Sequence, residues 1–435
     1  MELKNVVIVD AVRSPFARGA KGSFVATRMD EVAGTVVRTL LERNPRVDLS
    51  EIEDLACGNV LGGGELAGLV SNTVARIAGL PPEMSSVTVN RQCGSSMQAL
   101  HMMARGIMTG AGDIAIAMGV ERMGRGIPGD RGGDTPITRT HERNKALLPQ
   151  QKRPDPRHGD YFKVPFAPYL LDSPANPSMP QTAQNVAEAW NLSRAELDLF
   201  ALESHQRADA AYKANAYRDQ LVPFTVRLPV LDAAGNPDFN QAGPEALFDR
   251  DECIRLSTPD KLAALEPIKG IVSYGERQIV ITAGNSCPTN DGASAVLLMS
   301  EERAKALGLK PLARIKSMAV AGVKPQLMGV GTIPASAKAL QRAGIRARDL
   351  GLAEINEAFA SQSIATIRDL GIDAKIVNVN GGAIALGHPL GASGGRLLVA
   401  LCHEMRRRGN AQYGLATMCI GAGMGIATIV EAMNS

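Results

Sequence analysis

The stretch "VNRQCGSSMQAL", residues 89–100, sets one cysteine, Cys93, behind an apolar run and ahead of three small residues. The run has a strand pattern and the text after it has helical spacing, so Cys93 opens a helix. Backbone N–H groups and the helix dipole at that point favour negative charge and lower a thiol pKa. Such a thiolate is a nucleophile; the alternative is a small buried residue. A second stretch, "NGGAIALGHPLGASGGR" (380–396), holds His388 before Pro389 among six glycines. It contains no G-x-x-x-x-G-K-[ST], and no G-x-G-x-x-G follows a strand there. So few side chains around one imidazole suggest a close-packed turn. That turn presents a general base or hydrogen-bond donor, or else a structural histidine. In "MCIGAGMG" (418–425), Cys419 ends an apolar strand and Gly421 lies in the turn after it. A thiol beside exposed backbone N–H groups is a candidate acid/base, with the Gly421 N–H an oxyanion donor. The alternative is a core cysteine before a turn. In "EINEAFA" (354–360), Asn356 and Glu357 are polar residues amid apolar ones at a strand-to-helix junction, where a helix cap is the alternative.

The elements that must position these residues read as α/β. "NVVIVDAV", "IEDLACGNVLG", "SSVTVN" and "DIAIAMGVE" are strand patterns. They alternate with helical "MDEVAGTVVRTLLERN", "AGLVSNTVARIAGLP" (stopping at Gly79) and "SSMQALHMMARGIMTG". The last part repeats the order. Strand "LARIKSMAVAG" precedes helix "PASAKALQRAG", and "DLGLAEINEAFA" is a strand running into a helix that reaches about Leu370. Strand "AKIVNVN" follows, then helix "ASGGRLLVALCHEMRRRG" and two strands in "YGLATMCIGAGMGIATIVEAM". Alternation of this kind predicts a mostly parallel sheet covered on both faces. "EDLACGNV" and "LAEINEAF" take equivalent places, as do "VTVNRQCGSS" and "VNVNGGAIALGHPLGASGG", which suggests an internal duplication.

The middle differs. Residues 125–180 are rich in Pro, Gly, Arg and Lys, a loop length that is usually functional. A helical pair follows, with Ser193 and Glu196 at capping-box spacing. The expected organisation is an N-terminal half of residues 1–122 with 286–311, an inserted loop domain over 123–285, and a C-terminal half over 312–435.

The composition excludes several classes. With 435 residues, 45% hydrophobic and 21% charged, the chain has ordinary globular chemistry. Its apolar runs are strand-length, so no transmembrane segment is expected. A net charge of +3 lacks the dense basic face of a nucleic-acid binder. The six cysteines form no C-x-x-C pair and no zinc-like cluster, so reduced thiols and no metal site are expected. The text "MELKNVVIVDAVRSPFA" enters a strand pattern at once, so a cytoplasmic location is the simplest expectation.

Each chemical element is ambiguous singly, but together and in this order they resemble one family, the thiolases. The resemblance runs from "VVIVDAVRSPFAR" through "VTVNRQCGSSMQAL", "TAGN" with "NDGASAVLLMSE", "MGVGTIPASAKAL", "NEAFA" and "NGGAIALGHPLGASGGR" to "GLATMCIGAGMG". It implies two pseudo-equivalent mixed-sheet halves in an α-β-α-β-α layering with an inserted loop domain. It implies an acyltransferase that cleaves 3-oxoacyl-CoA with coenzyme A to acetyl-CoA and a shortened acyl-CoA, as in β-oxidation of fatty acids, and runs the reverse condensation. Cys93 would carry the acyl group as a thioester. His388 would take the Cys93 proton and Cys419 would move the other. Asn356 would hold a water that forms one oxyanion site with His388, and the N–H groups of Cys93 and Gly421 would form the second. Met179, Met328 and Phe359 occupy positions that line the acyl and pantetheine tunnel in relatives. Cys287 stands where many relatives have a pantetheine-contacting serine, and Ser178 where some have a histidine. The 125–163 segment, with nine Lys/Arg against five Asp/Glu, could attract coenzyme A phosphates, or be a solvated loop, or shape a pocket or subunit contact. Coenzyme A enters as a co-substrate, and no resident cofactor is implied. The resemblance also implies a homodimer or homotetramer, with a hydratase/dehydrogenase subunit as a further partner. Rival readings are a biosynthetic acetoacetyl-CoA thiolase, a decarboxylating ketoacyl synthase, which would lack Cys419, and a non-catalytic scaffold binding coenzyme A or lipid.

Overall fold

Strands form here where Val, Ile, Leu and Ala run unbroken, because a strand covered by helices on both faces has no polar side to display. The computed structural model describes residues 3–124, 177–233, 237–273 and 277–433. The expectation of a long loop over 125–180 therefore lies, up to residue 176, outside the described residues, as does the basic 125–163 segment. The chain opens with β1 (Val6–Arg13), buried along its whole length. There follow β2 (Ala17–Arg18), α1 (Met29–Glu42), β3 (Ile52–Gly58), α2 (Val70–Ala78), β4 (Ser85–Val89), α3 (Ser95–Met108) and β5 (Ile114–Glu121). Helix α2 stops where Gly79 takes a φ of 84°, a conformation cheap only for glycine. Next come α4 (Met179–Ala189), α5 (Arg194–Lys213), the β6–β7 hairpin (Phe224–Leu231, Pro237–Phe248) and short α6 (Pro259–Ala263). The α5 start carries a reciprocal Ser193–Glu196 capping box. The chain returns through β8 (Asn290–Ser300) and α7 (Glu301–Ala306). It ends with β9 (Ala313–Gly322), α8 (Thr332–Ala343), β10 (Leu352–Ile355), α9 (Ala360–Leu370), α10 (Ala383–Leu386), α11 (Leu390–Arg408), β11 (Tyr413–Ile420) and β12 (Met424–Ala432).

Two halves with the same pairing pattern meet in one mixed sheet, in which antiparallel pairings outnumber parallel ones, and this corrects the expectation of a mostly parallel sheet. The strand order is β10-β11-β12-β9-β1-β8-β5-β3-β4. From β4 inward the N-terminal half reads parallel to β3, parallel to β5, antiparallel to β8, antiparallel to β1. From β10 inward the C-terminal half reads parallel to β11, antiparallel to β12, antiparallel to β9. The counterpart of β4 is a single parallel bridge, Val377 to Ala353. This corrects the sequence expectation of a strand at "AKIVNVN". Residues Ala374–Ile376 form a 3-10 turn, and Asn378 has a φ of 45° that breaks the pleat. The Asn378 side chain replaces the missing strand. Its Oδ1 accepts from Ile355 N and its Nδ2 donates to Ile355 O, both at 2.8 Å. The halves join where Val7 and Ile8 of β1 pair with Arg314 and Ala313 of β9.

Three apolar cores hold the layers together, two outer and one central. One lies under α1 and α2, one under α8 and the segment after it. The central core is built by α3 and α11 between the two halves, through Met97, Leu100, Leu397, Leu398 and Leu401. Those central helices approach closely because the first turns of α11 carry almost no side chain. A Cβ at Gly394 would sit 2.6 Å from Met97 N, and Gly395 N donates to Ser96 Oγ at 2.9 Å. The glycine-rich text is thus a packing surface as well as a turn.

The segment between the halves is pinned to β1 by a buried ion pair. The Arg13 guanidinium, fully buried, makes two 2.8 Å hydrogen bonds to Asp251, which also accepts from Phe16 N and Tyr212 Oη. Removing one partner of such a pair strands a charge in a dry interior. Asp251→Ala is expected to cost about 3–5 kcal/mol in chemical denaturation, and Arg13→Met combined with Asp251→Leu less than that.

Candidate active site

Cys93 sits in the turn from β4 to α3, shaped by small polar groups. Ser95 Oγ donates to Gln92 O at 2.6 Å and accepts from Arg91 N at 2.9 Å, while Gln92 takes a φ of 45°. Gly94 lets this turn press on the opposite half, since a Cβ there would meet Ile420 Cδ1 at 2.6 Å. Across that contact lies the β11–β12 turn. The backbone N–H groups of Gly421 and of Cys93 itself pull the pKa of the half-buried Cys93 thiol down. The sequence reading, a thiol pKa lowered by the helix start, is corrected by the structure. Burial pushes the Cys93 thiol up to about 11, outweighing the two N–H groups that pull it down.

His388 is held by one partner far off in sequence and one nearby. Its N–H donates to Asn290 Oδ1 at 2.9 Å, and its Nδ1 lies 2.6 Å from Ser393 Oγ. Ser393 spends its one hydroxyl proton on Pro389 O at 2.9 Å. Nδ1 must therefore be the donor, which leaves the proton-free lone pair on Nε2. Nε2 is buried without a partner. Burial, and then the Arg396 charge, lower the imidazole to about 3, so it rests neutral.

Asn356 follows β10, fully buried, and both polar atoms of its amide lack a partner. Such an orphan in a native interior calls for a water or ligand. The helix-cap alternative does not apply, because Phe359 is the N-cap of α9. Glu357 instead braces the segment leading to His388. It accepts from Ser204 Oγ and Asn378 Nδ2, each at 2.7 Å, and from Ile384 N at 3.1 Å.

Cys419 is buried at the end of β11 in an apolar cluster with Met328 and Phe359. Met179 and Cys287 are partly exposed and pack against the same cluster. The Cys287 backbone is fixed by a 3.0 Å bond from its N–H to Ala358 O. Ser178 caps α4, accepting from Gln181 N at 3.4 Å, which places Met179 in the first turn. Burial raises the pKa of the Cys287 and Cys419 thiols, and the Cys93 thiol is near enough to raise both further. One cluster thus gathers Cys419, Met328, Phe359, Met179 and Cys287, with the Cys93 thiol near enough to act on the Cys287 and Cys419 thiols.

Sequence reasoning missed the supporting residues. Ser393 lies one helical turn past Pro389 and was legible in principle. Asn290 is 98 residues from His388 and carried no signal. Glu121 was also missed. It accepts from Asn59 Nδ2, Val60 N, Leu61 N and Gly391 N, so it clamps the start of α11. Burial raises its carboxyl to about 7 against those N–H groups.

The arrangement offers a thiol beside two N–H donors, a neutral imidazole with a free lone pair, a second buried thiol and an unpartnered amide. That set can make a covalent adduct, stabilise an oxyanion and move two protons. Likeness to known proteins shows the family. Residues 6–302 match the family described as "Thiolase, N-terminal domain", and residues 309–432 match "Thiolase, C-terminal domain". A protein named 3-ketoacyl-CoA thiolase from Serratia proteamaculans (strain 568) is 43% identical over 99% of this chain and 100% of its own. A beta-ketoadipyl-CoA thiolase from Escherichia coli is 41% identical over 99% and 100%. A solved structure, the acetyl-CoA acetyltransferase of Bacillus anthracis, superposes with a TM-score of 0.81 at 34% identity, covering 99% of this chain and all of that one. Two family domains spanning nearly the whole chain, full-length relatives and a shared fold establish that this protein belongs to the thiolase family of acyltransferases.

Proposed function

We propose that the protein cleaves 3-oxoacyl-CoA with coenzyme A, through an acyl-thioester on Cys93, and catalyses the reverse condensation. The observation that carries this is the contact of the turn holding Cys93 with the turn holding Gly421, so close that a Cβ on Gly94 would meet Ile420 Cδ1 at 2.6 Å. As the Cys93 S–C bond forms, its proton passes to His388 Nε2 and the carbonyl oxygen becomes an oxyanion. With the thiol near 11 and the imidazole near 3, an ion pair at rest is unfavourable, so proton transfer accompanies attack. The C–C bond then breaks, releasing the enolate of acetyl-CoA, which Cys419 protonates at carbon. The Cys419 thiolate takes the proton of the incoming coenzyme A thiol. That sulfur attacks the acyl group, and Cys93 leaves with the proton held by His388. The N–H groups of Cys93 and Gly421 bind one developing oxyanion. Asn356, through a water, and His388 bind the other.

Met179, Cys287, Met328 and Phe359 support an apolar lining for the acyl and pantetheine chains, packed as they are around Cys419. Coenzyme A is a co-substrate in this scheme, and every proton and electron pair is accounted for without a resident cofactor. Among the described residues no helix is long and apolar enough to cross a membrane. The proposal includes a cytoplasmic location, a homodimer or homotetramer, and a hydratase/dehydrogenase subunit as the partner of a degradative role.

Incubation with acetyl-CoA is expected to leave an acetyl adduct on Cys93 by mass spectrometry, removed on adding coenzyme A. Cys93→Ala abolishes it; an equally active Cys93→Ala enzyme sinks the scheme. Asn356→Ala is expected to lower kcat roughly 10²–10³-fold with little change in KM. Iodoacetamide should alkylate Cys93 slowly at pH 7, the rate still climbing past pH 9, because the thiol pKa is raised by burial. A plateau below pH 8 would contradict this.

A further inference from the structure

Gln362 has no part in the scheme above, yet it holds the hydrogen-bond partner of Cys419. It lies on α9, fully buried, with its Oε1 accepting from the Cys419 S–H at 3.4 Å. The amide is oriented by its neighbour. Ser363 donates its only hydroxyl proton to Phe359 O at 3.3 Å, so its oxygen is left to accept from Gln362 Nε2 at 2.9 Å. With nitrogen committed to Ser363, oxygen must face the sulfur. The Gln362 backbone carbonyl accepts from Thr366 Oγ1 at 2.6 Å. Gly329 makes the space, since a Cβ there would stand 2.5 Å from Gln362 Cβ.

We propose that Gln362 is a positioning residue for proton transfer by Cys419: its amide oxygen takes the S–H hydrogen bond, favours the proton-bearing thiol and fixes the direction of the proton. The inference rests on the acid/base role given to Cys419 above. In cleavage the Cys419 S–H bond breaks while a C–H bond forms on the enolate carbon. The sulfur is left as a thiolate facing an amide oxygen, an arrangement with no hydrogen bond in it. The thiolate is short-lived for that reason and regains a proton from the coenzyme A S–H. An acceptor that bonds only the neutral thiol raises its pKa, as do burial and the Cys93 and Cys287 thiols, the titratable groups that bear on Cys419. Cys93 reaches it from the start of α3 and Cys287 from the loop before β8. The residues packed on it from α9 and the Pro325–Gly331 segment are uncharged.

The full-length enzyme, given acetyl-CoA in D2O, separates the two thiols. Deuterium entry into the acetyl methyl needs the base, whereas acetylation of Cys93 does not. Gln362→Met keeps the shape and removes the acceptor. It is expected to move the pH of half-maximal exchange down by roughly half to one unit, with Cys93 acetylation within twofold of wild type. Ser363→Ala, which only frees the amide to turn, should shift the profile the same way by less. Profiles unchanged or displaced upward in both variants, while Cys419→Ala abolishes exchange, overturn the role of Gln362 alone. Exchange that survives Cys419→Ala overturns the acid/base role of Cys419, and this inference with it.

Discussion

Everything in this site depends on two turns from opposite halves coming into contact. They can do so only where side chains have been reduced to hydrogen. Gly94 leaves room for Ile420, and the glycines of α11 leave room for α3. The contact brings a backbone N–H from the β11–β12 turn to a sulfur on the β4–α3 turn. Neither half holds the whole apparatus. The N-terminal half brings one thiol, the C-terminal half an imidazole, a second thiol and an amide. Glycine at these places is a matter of distance between backbones more than of conformational freedom.

The second constraint is dryness. A helix start attracts charge, and taken alone that effect favours a thiolate at Cys93. Burial is the larger effect here, and it acts on every ionisable group of the site in the neutral direction. A neutral thiol at Cys93 and a neutral imidazole at His388 are the stable forms while nothing is bound. Protons then move only when a substrate oxygen is ready to take negative charge from the same step. The orphaned amide of Asn356 and the bare Nε2 of His388 fit that logic, since their missing partners belong to the bound state.

Much of this was legible in the sequence, for stated physical reasons. Buried strands announce themselves as unbroken apolar runs, and Gly79 or a Ser193–Glu196 spacing marks where helices stop and start. The strand expected at "AKIVNVN" failed because alternation of apolar and polar residues cannot reveal a positive φ at Asn378. It also cannot reveal that an asparagine side chain takes over a neighbour's backbone bonds. The direction of the Cys93 shift was misjudged because local sequence displays a helix start but not the depth of burial. Asn290 and Glu121 were missed because their partners lie far along the chain, where periodicity has no reach.

The Arg13–Asp251 pair has a consequence for how the chain is made. Its two members are separated by 238 residues. At a synthesis rate of 5–20 residues per second, the first strand waits roughly 10–50 s on the ribosome for its counter-ion. During that interval a greasy ribbon whose Arg13 lacks its counter-ion has no native place to go. The N-terminal half therefore cannot mature as it emerges, despite coming first, and the nascent protein is exposed to self-association until more than half of it has been translated.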